Sequence, residues 1–159
     1  MAIVASLLIV VAVVTGCRRM AAEPTVTPLG IAVERAQVSV NVASGAEGEA
    51  TGNATTDEMV RGAVMAVYVD YGEAITTTTD LTLAPAGTPT ENVLSLSNQA
   101  TDKWVYPRRA VQDNAGTDVT YDGTNEIYEP YWVDDYLKVT VAQTEPATPC
   151  VKVYIYWQR

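Results

Sequence analysis

Nineteen carboxylates and no histidine set the chemistry open to this 159-residue chain. Without histidine, the base of a nucleophilic triad, the commonest zinc ligand and the near-neutral proton switch are all missing together. Oxygen chemistry remains. Asp118 with Asp122, and Asp134 with Asp135, have the ligand type that calcium takes, yet neither pair follows the spacing of an EF-hand loop or a Gly-rich nonapeptide. Both read as solvated loop carboxylates. A glycosidase needs two carboxylates about 5–10 Å apart across a cleft. Among nineteen acids some pair meets that distance by accident, so their number points to no reaction. Cys17 and Cys150 are far apart, one in an apolar leader-like run and one in a terminal strand; parity alone permits a disulfide, and no Cys-x-x-Cys spacing for zinc or haem exists. The expectation is a protein that is not an enzyme, with no catalytic residue, cofactor, metal or small-molecule substrate.

Aromatic residues are the second kind of chemistry. Phe is absent, so nine Tyr and three Trp carry the aromatic surface. Their rings pack as hydrophobes while a hydroxyl or indole N–H reaches for a partner, which suits sheet edges and interfaces. Trp104, Tyr106, Tyr121, Tyr128, Tyr131 and Trp132 form the densest group, with Arg108 and Arg109 beside them. Packing in a chain without Phe, a subunit interface and a sugar-stacking platform are the three readings of this group. As interface candidates it supplies Trp104, Tyr106, Arg108, Arg109, Tyr128, Tyr131 and Trp132.

The elements that must position these residues are strands. Arg61–Gly72 carries apolar residues on both alternating sets, Ala63/Met65/Val67/Val69 and Val64/Ala66/Tyr68, which predicts a central strand covered on both sides. Val38, Val40 and Val42 alternate with Ser39 and Asn41 in a first strand within Ile31–Ala43. Ser44–Asp57 has no apolar anchor and reads as an exposed loop. Leu81/Leu83 and Val93/Leu94/Leu96 flank a Pro85–Pro89 hairpin loop. Pro107 favours an edge, strand end or bulge. Asp113–Gly116 and Tyr121–Gly123 read as turns, and Asn125–Tyr131 as a short extended piece up to Pro130. Tyr136–Ala142 and Cys150–Trp157 alternate like strands with one buried face. The predicted core is Val64, Val67, Leu81, Leu96, Leu137, Val139, Val141, Val153 and Ile155. About eight short strands with regular turn signals predict an all-β fold, an antiparallel β-sandwich or jelly roll, over residues 33–159.

Ahead of that domain, residues 1–19 form a hydrophobic N-terminal segment and 20–32 a Pro-containing linker. The run Ala2–Gly16 is short for a bilayer span, which takes about 20 apolar residues, and has the length of a signal-peptide core. It ends in a lipobox-like stretch at Cys17, the lipidation candidate. Against export stand the missing basic residue ahead of the run and Arg18-Arg19 directly behind it. Leader or anchor, buried arm against neighbouring subunits, and extra residues from an upstream start all remain open. The net charge of −9, with ten scattered Lys and Arg, argues against nucleic-acid binding.

From Val60 onward the sequence resembles a group of small phage- and prophage-encoded proteins from virion structural gene clusters. The likeness is carried by Arg61–Tyr71, Tyr106-Pro-Arg108, Tyr121-Asp-Gly123 and Leu137–Gln143. The resemblance implies a non-enzymatic virion structural protein, a capsid decoration or surface component of a tailed bacteriophage. Its partners would be the major capsid or other virion proteins and copies of itself, and its location the virion surface. The alternative is a lipid-anchored, extracytoplasmic surface-binding module with Cys17 modified, for which the N-terminal segment is a membrane anchor.

Overall fold

The computed structural model describes residues 32–73, 75–87 and 91–159. The N-terminal segment, most of the linker and Cys17 lie outside the described residues. Within them the chain forms ten strands and no helix. These are β1 (Val33–Val42), β2 (Ala50–Thr55), β3 (Val60–Tyr71), β4 (Asp80–Pro85), β5 (Leu94–Leu96), β6 (Lys103–Val105), β7 (Arg108–Ala110), β8 (Tyr128–Asp135), β9 (Leu137–Thr144) and β10 (Ala147–Gln158).

Every pairing is antiparallel, and the pairs nest: β1 with β10, β2 with β9, β3 with β8, β4 with β5. Each pair lies inside the one before it along the chain, with β6 and β7 as additions between β5 and β8. One long antiparallel ribbon therefore folds over on itself as a jelly-roll sandwich. Its six-stranded sheet runs β1-β10-β3-β8-β7, with β6 also on β3, and its four-stranded sheet runs β2-β9-β4-β5. β6 and β8 share one side of β3 end to end, β8 on Val60–Val64 and β6 on Val67–Val69.

The core lies between the sheets. From the six-stranded sheet come Val38, Val40, Val64, Val67, Val69, Val153, Ile155 and Trp157; from the other, Leu81, Leu83, Leu137, Val139 and Val141. Of the predicted core only Leu96 differs. It is half-buried, because β5 is a three-residue edge strand with no neighbour beyond it among the described residues.

β3 departs from its prediction for a local reason. Trp157 pairs with Val64 but Tyr156 pairs with Ala66, so Met65 is an extra residue on β3. This bulge shifts the inward set from Val60 and Val64 to Val67, Val69 and Tyr71, all buried. Two apolar alternations are thus one inward face read in two phases. Among the described residues only that face is covered by a second layer. Gly62, at φ +140° against the Gln158 carbonyl, is open only to glycine.

Two further segments are stranded where the sequence predicts otherwise. Ser44–Asp57 contains β2, whose Ala50, Gly52 and Ala54 replace large apolar anchors because the strand lies close to β1. A Cβ on Gly52 would come within 2.7 Å of Val42 Cγ2 and 3.0 Å of the Asn41 carbonyl. β8 continues through Pro130 to Asp135. The proline costs no ladder bond to β3, whose pairing with β8 starts at Tyr131.

Candidate functional site

Alternation in β10 that buries Val153, Ile155 and Trp157 turns Tyr154 and Tyr156 outward. On β3, Tyr68 pairs with Tyr154 on one side and Trp104 of β6 on the other. Directly opposed residues share a face, so the rings meet. Tyr68 lies 5.0 Å from Trp104 and 6.0 Å from Tyr154 between ring centroids, and Trp104 lies 5.4 Å from Tyr156. All three pairs are tilted by 36–40°. Arg35 of β1 holds its guanidinium 5.7 Å from the Tyr154 ring centre, within reach of a cation–π contact.

The result is a four-ring aromatic platform on the outer face of the six-stranded sheet. Trp104 remains 50% exposed within it. Its rim is polar and balanced in sign: Arg35 and Lys152 against Asp70 and Asp102. Asp102 ties the platform to the backbone, accepting the Tyr71 N–H at 2.8 Å and the Tyr68 hydroxyl at 3.4 Å. Partial burial, then the Asp102 and Asp70 charges, push the Tyr68 phenol above its usual range, so at neutral pH it is an uncharged donor.

The seven interface candidates do not form one cluster. Trp104 alone belongs to the platform. Tyr106 is exposed between β6 and β7. Arg108, Arg109, Tyr128 and Tyr131 line a polar groove of about 520 Å³ together with Glu91, Glu126 and Glu129. There Arg109 is already paired with its cross-strand neighbour Glu129 at 2.8 Å, Arg108 donates to the Pro107 carbonyl, and the Tyr131 hydroxyl donates to Glu91 at 3.3 Å. Trp132 borders a separate open depression of about 590 Å³ with Arg61, Gly62, Asp134 and Arg159. Tyr68, Tyr154 and Tyr156 are the members that sequence reasoning missed. The outward phase of β10 was the available signal; which strand would stand beside it was not.

The acidic residues have structural partners. Asp113 accepts the Ala115 and Thr117 N–H groups, and Asp122 those of Thr124 and Asn125. These backbone bonds hold both carboxyls below the usual range. Asp134 and Asp135 are strand residues, not loop carboxylates: Asp134 pairs with Arg61 at 3.0 Å and Asp135 accepts the Gly87 N–H at 2.8 Å. Among the described residues no group of three or more Asp, Glu or Cys is arranged to hold a metal ion. Cys150 is a buried thiol 3.4 Å from Thr144 Oγ1.

The chain matches no protein-family model, no curated protein and no solved structure.

Proposed function

We propose that this chain is a non-enzymatic virion structural protein, a decoration or surface component of a tailed bacteriophage, that docks on a neighbouring protein subunit through the outer face of its six-stranded sheet. The observation that carries the docking surface is the platform of Tyr68, Trp104, Tyr154 and Tyr156, open to solvent at Trp104. Tyr, Trp and Arg are the residues that dominate the buried centre of protein interfaces, and a polar rim is their usual surround. Arg35 and the balanced rim fit that composition. On a chain of net charge −9, a patch with equal numbers of both signs is where repulsion between acidic copies opposes contact least. The phage setting rests on the resemblance of Arg61–Tyr71 and the three later stretches. The jelly roll is compatible with it, since capsid and lectin domains both use that architecture, but a fold is not a function.

A photo-crosslinking residue in place of Trp104 tests this in particles purified from the producing host. The expected product is one discrete adduct with another virion protein, absent when the crosslinker replaces Glu126. An adduct with glycan or lipid, or none with protein, contradicts the reading.

A further inference from the structure

Among the described residues, four of the five strands with a free side are poor templates for another chain. β5, β6 and β7 have three residues each. β2 has six, interrupted by a register shift between Ala50 and Gly52. β1 is different. It runs ten residues, and its register with β10 is unbroken from Val33–Gln158 to Val40–Val151. Its other side makes no backbone hydrogen bond among the described residues. From Ala36 to Val40 it carries none of the devices that blunt an edge, having no Pro, no Lys, no inward charge and no bulge; the inward-phase charge of Glu34, paired with Arg159, lies before that stretch.

We propose that β1 is the pairing edge of a symmetric dimer, antiparallel to β1 of a second copy with Val38 on the two-fold axis. β1 is self-complementary in this register. Inward, Val38 meets its own copy and Ala36 meets Val40, so the buried rows of the two sandwiches run on without a break. Outward, Gln37 meets Ser39, so neutral polar groups face each other and no like charges are opposed; Asn41, whose carbonyl lies against Gly52 of β2, falls beyond the paired stretch. A shift by one residue would set inward valines against outward polar residues. The contact is isologous and closes on itself, and it leaves the aromatic platform facing outward on both copies.

Sedimentation of the full chain at micromolar concentration tests the pairing, independently of the docking reading. The wild type should be dimeric. Gln37→Lys with Ser39→Lys opposes like charges twice and should weaken the dimer about tenfold. Gln37→Lys with Ser39→Glu opposes unlike charges at the same two places and should restore it. Trp104→Ala should leave the dimer intact. A monomeric wild type, or a double-lysine variant that sediments as the wild type does, overturns the proposal; so does failure of the Lys/Glu combination to recover what the Lys/Lys combination lost.

Discussion

Tyr71 ends the inward run of β3 with its ring in the core and its hydroxyl without a protein hydrogen-bond partner among the described residues. Burial first, then the nearby Asp102 carboxylate, pushes its phenol up to about 12. A folded-state value above the unfolded one means the native protein holds this proton more tightly. Its contribution is complete below the unfolded pKa, near 10, and is lost as pH rises through the folded value. Stability should therefore fall between about pH 10 and 12 by an amount on the order of 2–3 kcal/mol. In Tyr71→Phe that segment of the stability–pH curve should flatten; an unchanged slope would exclude Tyr71 as its source. Gly62 is the other residue whose identity is forced. With φ at +140° beside the Gln158 carbonyl, Gly62→Ala should cost about 1–3 kcal/mol in backbone strain alone. Melting at the wild-type temperature would show that the bulge region relaxes freely. Neither effect is legible in the sequence, where Gly62 and Tyr71 are simply two residues of the predicted Arg61–Gly72 strand.

At the scale of elements, legibility followed side-chain size. β9 and β10 alternate large apolar and polar residues, and that period alone placed Leu137, Val139, Val141, Val153 and Ile155 in the core. β2 carries no such signal. Its inward positions are Ala50, Gly52 and Ala54, and at Gly52 the Val40 and Val42 side chains of β1 occupy the space a Cβ would need. A strand selected for close approach looks like a loop. β3 was legible as the centre of the sheet but not as one-faced, since a bulge at Met65 changes the phase of alternation and a one-residue change in phase exchanges the faces. The carboxylates of Asp113 and Asp122 fit the turns expected around them. Asp134 and Asp135 did not fit the loop expected of them, because strand pairing with Val60 and Arg61 is a long-range fact.

The whole molecule shows why the site was only partly readable. An all-β sandwich of nested pairs follows from the number of short strands and turns, and the fold class was legible. The platform is assembled from three strands whose positions in sequence are far apart: β3, β6 and β10. Trp104 was singled out for its aromatic neighbours in sequence, such as Tyr106, yet its neighbours in space are Tyr68 and Tyr156. Only the order β10-β3-β6 brings these rings together, and strand order is set by the winding of the ribbon rather than by any local pattern. On this account the sheet's outer face is the working surface, and the sandwich behind it is a rigid support.

The most direct test of that claim is the amount of protein carried by purified particles when Trp104→Ala and Tyr156→Ala are introduced together. Both side chains lie outside the core, so the variant should melt close to the wild type, within about 1 kcal/mol of stability. Truncating two rings at the centre of a docking surface typically costs about 2 kcal/mol or more each, so the folded variant should be lost from particles that retain the wild type. A variant that melts normally and is still recovered on particles at the wild-type level would contradict the account.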